Sequence, residues 1–296
     1  RVPDGWTTVR LRTAALNHHD VWSLRGVGLP ADRLPMVLGC DGAGIDADGN
    51  EVLVHAVVSS PGWAGDETLD PRRSLLSEVY DGTLAEVVAV PAHNLVPKPA
   101  SLSWEHAACL PTAWLTAYRM LFTNADVQPG ATVLVQGAAG GVATALVQLG
   151  SAAGLRMWVT SRDGARGEQA LALGADRAFP SGARLPERVD AVMETVGAAT
   201  WSHSVNSLRP GGTIVISGAT SGDAPARAEL TKIFFRQLRV VGSTMGTRDE
   251  LERLSRFVVD AGIEPLVDSV LPLADAREGF EEMVAGRVSG KVVFTV

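Results

Sequence analysis

One segment near the middle of the chain constrains the fold most: an apolar strand pattern, a glycine-rich turn and a helical pattern follow one another directly. Thr132–Gln136 has the apolar composition of a buried parallel strand, and Gly141–Gly154 has small residues on one helical face. The turn between them reads GAAGGVA over residues 137–143, and a second apolar run, 157–160, follows the helix. This order predicts a βαβ unit of the Rossmann type.

The glycine-rich turn indicates a dinucleotide site. Glycine lets backbone N–H groups approach a pyrophosphate closely, and the N-terminus of the following helix carries a partial positive charge. A purely structural turn is the alternative, but the flanking strand, the helix and the second strand all match the dinucleotide pattern. The predicted turn contacts are Gly137, Ala139, Gly140, Gly141 and Val142.

The end of the second strand distinguishes between the two nicotinamide dinucleotides. An NAD site usually has an acidic residue about 20 positions beyond the glycines, where it accepts a hydrogen bond from the ribose 2′-hydroxyl. This chain has Arg162 there, preceded by Thr160 and Ser161. Such donors suit a 2′-phosphate, so the sequence favours NADP(H) over NAD(H). A solvated Arg162 with Asp163 at the ribose would instead fit NAD(H).

Composition excludes several other classes. The 296 residues suffice for two domains, and 46% hydrophobic with 20% charged residues is ordinary for a globular protein. The net charge of −7 argues against nucleic acid and anionic membranes as partners, because Lys and Arg are not in excess. Two cysteines, no apolar run of 18 residues and no secretory pattern at the N-terminus predict a cytoplasmic protein. The dinucleotide pattern adds a small-molecule substrate as the expected partner.

The alternation of elements predicts the domain organisation. The pattern is β-rich and irregular up to about residue 100, and strands and helices alternate after Thr132. That alternation predicts a doubly wound parallel sheet, and we expect the last strand, 290–296, to rejoin the N-terminal region. Predicted strands lie at 132–136, 156–160, 189–193, 213–217 and 238–242, with helices at 164–174, 198–208 and 228–236.

Several phrases extend this pattern along nearly the whole chain, namely GAAGGVA, LPTAWLTAYRML (110–121), LALGAD (171–176), RPGGTIVISG (209–218) and SGKVVFTV (289–296). Together they resemble the medium-chain dehydrogenase/reductases, nearest to the quinone oxidoreductase and zinc-type alcohol dehydrogenase branches. The resemblance implies an α/β fold: a GroES-like domain over 1–120, completed by 267–296, and a Rossmann domain over 121–266. It also implies a homodimer, and opening strands before Arg1 whose absence indicates a truncated chain or a short member.

The resemblance raises the question of a metal. It places the catalytic-zinc ligands of zinc-dependent relatives at positions that Asn17, Cys40 and Thr112 fill here. Asparagine and threonine are poor ligands for Zn²⁺, so we expect no zinc. The structural-zinc lobe of such relatives falls near 59–77, which contains no cysteine, and we expect a metal-free loop there.

The candidate catalytic residues are Asn17, His18 and His19, at the motif that opens the cleft in the relatives. His19 falls where alcohol dehydrogenases have a proton-relaying hydroxyl, and imidazole suits proton donation near neutral pH, so His19 is the first candidate acid. Alternatively, these histidines only bind loop backbone or ribose. A remodelled metal site of Cys40, Asp41 and His18 or His19 is a further alternative, and Cys40 as a small buried residue is another.

Further cofactor contacts are implied by the resemblance and by the rule that ligands bind at the carboxyl ends of parallel strands. Helix packing is the alternative for Thr116, and a solvated charge is the alternative for Lys291. The predicted cofactor-binding residues beyond those above are Thr116, Thr195, Val196, Ser217, Gly218, Met245 and Lys291.

These features together predict a zinc-independent, NADP(H)-dependent oxidoreductase. It would transfer hydride to an activated C=C or C=O, as in a quinone, an enone or an aldehyde. Two alternatives stay open at this point. One is a zinc-type alcohol dehydrogenase with a remodelled metal site, and the other is a non-catalytic NADPH-binding protein.

Overall fold

A computed structural model describes residues 2–296 and divides the chain into two compact units. Unit 1 comprises Arg1–Leu115 and Met245–Val296, and unit 2 comprises Thr116–Thr244. The return to unit 1 thus comes earlier than the predicted residue 267, because a helix that the sequence analysis did not identify, Arg248–Asp260, belongs to unit 1. No helix among the described residues has the length and apolar character needed to cross a membrane.

The strands, in chain order, are β1 (Trp6–Ala15), β2 (Asp41–Asp46), β3 (Glu51–Val54), β4 (Val57–Val58), β5 (Ser74–Leu75), β6 (Val87–Pro91), β7 (Leu95–Pro97), β8 (Thr132–Gln136), β9 (Arg156–Ser161), β10 (Arg177–Pro180), β11 (Val189–Glu194), β12 (Leu208–Ile216), β13 (Arg239–Gly242), β14 (Val267–Pro272) and β15 (Lys291–Thr295).

The α-helices are α1 (His18–Leu24), α2 (Trp104–Cys109), α3 (Leu115–Tyr118), α4 (Gly141–Ala152), α5 (Gly164–Ala172), α6 (Trp201–Ser207), α7 (Leu230–Phe235), α8 (Arg248–Asp260) and α9 (Ala276–Val284). Short 3₁₀ turns lie at Ala31–Arg33, Glu67–Leu69, Ala92–Asn94 and Leu273–Asp275, and π-helical turns lie at Leu110–Trp114 and Arg119–Asn124.

Unit 1 is built on a sheet with the strand order β14-β15-β1-β2-β3-β7, in which β6 also pairs with β1. β15 lies antiparallel to β1, with Phe294 opposite Ala14, so the last strand of the chain lies in the sheet that the first strand begins. Alternate apolar side chains of β1 and β6, among them Val9 and Val88, pack into one buried cluster. Buried apolar area of this kind is the main force that holds the sheet together.

The loop at 59–77 in unit 1 is organised around the carboxylate of Asp70. One oxygen of Asp70 accepts hydrogen bonds from the backbone N–H and the hydroxyl of Ser60, at 2.6 and 2.7 Å. The other oxygen accepts from the backbone N–H of Arg72 at 2.8 Å. A buried side chain therefore cross-links the two ends of a loop that contains no cysteine.

Unit 2 is a parallel sheet with the strand order β10-β9-β8-β11-β12-β13. The predicted parallel sheet is thereby confirmed. Its core combines strand residues such as Leu134, Trp158 and Ile214 with helix residues such as Val205. Helix α4 packs closely on β9, because a Cβ on Gly150 would lie 2.3 Å from the sulfur of Met157.

Candidate functional site

In unit 2, the turn between β8 and α4 leaves backbone donors available. Gly137 has a φ of +87°, a conformation that favours glycine, and Gly140 is the N-cap of α4. No side chain caps α4, whereas Asp163 caps α5 by accepting from the N–H of Ala165 at 2.9 Å. The first N–H groups of a helix have no acceptor within the helix, so those of α4, from Gly141 onward, are free to bind an anion.

Two of the predicted coenzyme contacts at this edge of the sheet, Gly137 and Thr160, are hydrogen-bonded within the protein. The N–H of Gly137 donates to the hydroxyl of Thr160 at 3.3 Å, and that hydroxyl donates to Oε1 of Gln136 at 2.7 Å. Thr160 is fully buried. The structure therefore does not support Thr160 as a direct ligand of a 2′-phosphate, and it gives Gly137 a turn-forming role.

Arg162, beyond the end of β9, has the opposite character. It is exposed and forms no hydrogen bond or ion pair with any residue in the described range 2–296. Its neighbours are engaged, because the hydroxyl of Ser161 donates to the carbonyl of Asp163 at 2.7 Å and the Asp163 carboxylate caps α5. The alternative of Asp163 as the ribose acceptor thus competes with its role as a helix cap.

The predicted loop residues after β11 and β12 lie side by side. The N–H groups of Val196 and Gly197 donate to the buried carboxylate of Glu194 at 2.8 and 2.9 Å. A Cβ on Gly218 would lie 3.1 Å from the carbonyl oxygen of Thr195, so the two loops are in close contact. Ser217 joins them, since its N–H donates to the carbonyl of Glu194 at 3.0 Å. The other predicted contact in this unit, Thr116, is buried in α3.

In unit 1, Asn17 and Lys291 belong to one buried polar cluster. The ammonium of Lys291 donates to the carbonyl of Leu16, to Oδ1 of Asn17 and to Oδ2 of Asp41, each at 2.7 Å. The Asn17 amide also donates to Asp41 at 2.8 Å. A lysine ammonium has three N–H donors, and all are used here, so these contacts do not support Lys291 as a direct cofactor ligand. The sequence analysis did not identify Asp41 as the residue that Lys291 binds.

Asp20 fixes the start of α1. Its two carboxylate oxygens accept from the N–H groups of Asn17 and Gly39, at 2.9 and 3.0 Å. Burial raises the pKa of Asp20 to about 6, although the hydrogen bond from Asn17 opposes this. Through its two hydrogen bonds, the Asp20 carboxylate fixes the segment that carries Asn17 next to the segment that carries Cys40.

His19 lies between a thiol and a carboxylate. Its Nδ1 is 3.3 Å from Sγ of Cys40, and its Nε2 is 3.1 Å from Oε1 of Glu78. Burial alone would lower the pKa of His19, but the hydrogen bonds to Cys40 and Glu78 raise it. Burial raises the pKa of the Cys40 thiol. Glu78 was not predicted, and no motif in the sequence marks it. The neighbouring His18 is exposed and has no hydrogen-bond partner among residues 2–296.

The remaining predicted contact in unit 1, Met245, is buried. It packs in a cluster with Cys40, Ala56 and Val57. The next residue but one along the chain is Thr247, the N-cap of α8, and the intervening Gly246 accepts a hydrogen bond from His55 at 2.8 Å. Met245 thus belongs to the apolar surroundings of Cys40, at a position with a φ of +50°.

Two of the three residues at the family zinc positions, Asn17 and Thr112, do not fit Zn²⁺. Asn17 binds the ammonium of Lys291, and Thr112 offers only a hydroxyl, which is buried without a hydrogen-bond partner among the described residues. A displaced set does offer suitable donor types. Ligand atoms of His19, Asp20 and Cys40 lie within 4.8 Å of one another. This set shares Cys40 and His19 with the remodelled site left open above, and it contains Asp20 in place of the ion-paired Asp41.

Comparison with known proteins bears on both units. Residues 3–100 match the family model of the alcohol dehydrogenase GroES-like domain, and residues 141–260 match that of zinc-binding dehydrogenases. A zinc-type alcohol dehydrogenase-like protein of Schizosaccharomyces pombe is 31% identical over 99% of this chain and 91% of its own length. An acryloyl-coenzyme A reductase of Metallosphaera sedula is 28% identical, with 98% and 92% covered.

Solved structures are similar to this chain over its whole length. A structure of an NAD-dependent alcohol dehydrogenase has a TM-score of 0.92 and 36% identity, and covers 100% of this chain and 94% of that one. A 2-octenoyl-CoA carboxylase reductase in complex with NADP and 2-octenoyl-CoA has a TM-score of 0.91 and 26% identity, with 100% and 80% covered. The predicted fold class, a GroES-like domain with a Rossmann domain, is confirmed.

Proposed function

Because the chain belongs to the medium-chain dehydrogenase/reductase superfamily and is thus a nicotinamide-dependent oxidoreductase, we propose that it uses NADP(H) to reduce an activated C=C or C=O without a catalytic zinc. The observation that carries the coenzyme choice is Arg162, exposed and unpaired at the end of β9. A guanidinium there binds a 2′-phosphate through charge-assisted hydrogen bonds. Relatives exist on both sides, since one is named NAD-dependent and another was solved with NADP.

The backbone of α4 supports the same coenzyme site. Its uncapped N-terminus offers N–H groups from Gly141, Val142 and Ala143 to the pyrophosphate. The loops that carry Val196 and Gly218 follow β11 and β12, where ligands of parallel sheets bind. When bound, the reduced nicotinamide supplies the hydride.

The substrate class rests on the relatives and on His19. An acryloyl-coenzyme A reductase acts on a C=C bond conjugated to a carbonyl, and hydride addition to such a bond leaves an enolate that takes up a proton. His19 is the proposed proton donor, because 23% of its side chain is accessible and because Glu78 favours its protonated form. Asn17 is a positioning residue, since its side chain is fully engaged with Lys291 and Asp41.

A second candidate function is favoured by one observation, the proximity of His19, Asp20 and Cys40. A catalytic zinc is held by three protein ligands, and imidazole, carboxylate and thiolate are each suitable. When bound, zinc would polarise a carbonyl or alkoxide oxygen. The chain would then resemble an alcohol dehydrogenase with a shifted metal site. Metal binding there would require the Cys40 thiol to lose its proton and the hydrogen bond between His19 and Cys40 to break.

We also propose a homodimer. β13 is an edge strand of the sheet in unit 2, and the side chains beside it are apolar and exposed: Val240 by 44%, Phe234 by 62% and Phe235 by 74%. An unpaired strand edge beside exposed apolar side chains favours pairing with a second copy of the chain.

One experiment separates the two enzymatic candidates. Purified protein is assayed with NADPH and with NADH against an enoyl thioester, a quinone and an aldehyde, before and after dialysis against a strong zinc chelator, with zinc measured by mass spectrometry. We expect NADPH oxidation that survives dialysis and zinc far below one atom per chain. Stoichiometric zinc with activity that the chelator abolishes and added zinc restores would favour the metal-dependent alternative.

A further inference from the structure

A chain of buried polar side chains crosses the carboxyl ends of three neighbouring strands in unit 2. Gln136 ends β8, Thr160 lies near the end of β9 and Glu194 ends β11, and Ser204 lies above them in α6. All four are 0% exposed. Buried polar groups at this density are stable only when each of them is hydrogen-bonded.

Gln136 is the centre of this chain. Its Oε1 accepts from the hydroxyl of Thr160 at 2.7 Å, and its Nε2 donates to Oγ of Ser204 and to Nδ1 of His203, both at 2.9 Å. The hydroxyl of Ser204 donates to Oε2 of Glu194 at 2.6 Å. The amide of Gln136 thus uses both of its N–H groups and its oxygen.

The proton positions in this chain are fixed by its two ends. The carbonyl of Ala183 accepts only, so Nε2 of His203, at 2.9 Å, carries a proton, and Nδ1 of His203 accepts from Nε2 of Gln136. The Glu194 carboxylate also accepts only, so the hydroxyl of Ser204 points to it. Gln136 must therefore donate to both neighbours and present its oxygen to Thr160. A flipped Gln136 amide would turn its oxygen toward Nδ1 of His203 and Oγ of Ser204, neither of which has a proton left to donate, and both of those hydrogen bonds would be lost.

On both sides, this series of hydrogen-bonded side chains ends at backbone N–H groups of segments that we assign to the coenzyme site. At one end, Thr160 accepts the N–H of Gly137, which begins the turn before α4. At the other end, Glu194 accepts the N–H groups of Val196 and Gly197, in the loop after β11. The two segments also touch, because a Cβ on Gly137 would lie 3.7 Å from the side chain of Val196.

We propose that Gln136 is a positioning residue that couples the Gly137 turn to the Val196–Gly197 loop, so that the pyrophosphate and nicotinamide ends of the coenzyme site are set as one unit. The inference rests on the proposed function, since it assumes that both segments bind the dinucleotide. It also makes Thr160 and Ser204 positioning residues, because their hydroxyls connect Gln136 to the two segments. Loss of the Thr160 hydroxyl leaves Oε1 of Gln136 without a donor, and loss of the Ser204 hydroxyl leaves one N–H of Gln136 without an acceptor. Either loss is expected to loosen the loop at the opposite end, although Thr200 also binds Glu194.

The test uses matched substitutions at the two links. Thr160→Val removes the hydroxyl and keeps the shape, whereas Thr160→Ser keeps the hydroxyl. We expect the Kd for NADPH to rise about tenfold in Thr160→Val and to stay within about twofold in Thr160→Ser. Ser204→Ala is expected to match Thr160→Val. The double variant is expected to bind about as weakly as either single one, because both break one coupled chain, whereas independent residues would give about a hundredfold loss.

A remote readout separates coupling from a local packing defect. In the coenzyme-free protein, we expect hydrogen–deuterium exchange at the N–H groups of Val196 and Gly197 to speed up in Thr160→Val and not in Thr160→Ser. If Thr160→Val does not fold, Ser204→Ala is examined in the same way for faster exchange across 137–140. The coupling would be overturned if the affinity losses of the two single variants multiplied in the double variant, or if exchange at the far loop stayed unchanged. In either case, NADPH binding by the wild type would still support the coenzyme site. A wild type that binds neither NADPH nor NADH would overturn both.

Discussion

The ammonium of Lys291 lies 2.7 Å from a carboxylate oxygen of Asp41, and the two side chains are 2% and 0% exposed. They are separated by most of the chain, since Lys291 begins the last strand and Asp41 begins β2. The pair also binds Asn17, one of the three positions at which the resemblance places zinc ligands. A buried cation therefore lies beside the position that the resemblance assigns to a zinc ligand.

Removal of that cation is expected to destabilise unit 1 strongly. Lys291→Met keeps the length of the side chain but leaves the buried carboxylate of Asp41 without its charge partner, which typically costs about 3–5 kcal/mol. Urea unfolding of the wild type and the variant measures the difference. Arg277→Met, which removes an exposed ion pair with Glu281, is the control and should leave the free energy of unfolding nearly unchanged, because solvent screens that pair. Equal, small losses in both variants would contradict the assigned role of Lys291.

Substitution of Arg162 is expected to remove the preference for NADPH. Arg162→Ala deletes the only charge that we assign to the 2′-phosphate, so the KM for NADPH should rise by about tenfold or more while that for NADH stays nearly unchanged. Steady-state kinetics with both coenzymes and a single acceptor measures this. Arg156→Ala, at the start of β9, is the matched control and should alter neither KM, because Arg156 pairs with Glu187. If Arg162→Ala impaired NADH and NADPH equally, the assignment would be wrong.

Substitution of Glu78 is expected to change the pH dependence. Glu78→Gln removes the carboxylate at Nε2 of His19, so the pKa of His19 should fall. The raised pKa of His19 contributes stability below the unfolded pKa of about 6.5, and this contribution is lost as the pH rises through the folded pKa. Glu78→Gln should thus be less stable than the wild type below about pH 6.5, for as long as Glu78 of the wild type is ionised. The alkaline limb of its kcat/KM profile should move to lower pH. NMR titration of His19 provides the direct check, and an unmoved limb would count against His19 as the acid.

A charge on β13 is expected to dissociate the proposed homodimer. Val240→Glu introduces an anion at the exposed strand edge of unit 2, and light scattering after gel filtration should change from two chains to one. The control is Val270→Glu on β14, an exposed edge position in unit 1, which should remain dimeric. A wild type that elutes as a monomer would refute the dimer outright.

The fold was readable from the sequence where its signals are local. The strand–turn–helix order around Gly137 follows from apolar runs and glycines, and the structure reproduces it with β8 and α4. Helix α8 was missed although its signals are also local. Thr247 and Glu250 form a capping box, and Leu251, Leu254 and Val258 follow at helical spacing.

The site was less readable, because its contacts join distant parts of the chain. Nothing near Lys291 in the sequence indicates that its ammonium binds Asp41, and nothing near Thr160 indicates that its hydroxyl points at Gln136 rather than outward. The direction of a side chain at the end of a strand depends on its register in the sheet, which sequence patterns fix only approximately. Arg162 lies beyond the end of β9, where the glycine spacing placed it, and its predicted role still awaits a test.

Calorimetric titration of the wild-type chain with NADPH and with NADH tests the central claim most directly. The unpaired guanidinium of Arg162 and the uncapped N-terminus of α4 predict that both coenzymes bind and that NADPH binds at least about tenfold more tightly. Tighter binding of NADH would contradict the assignment of the 2′-phosphate to Arg162, and the absence of heat with either coenzyme would contradict the dinucleotide site itself.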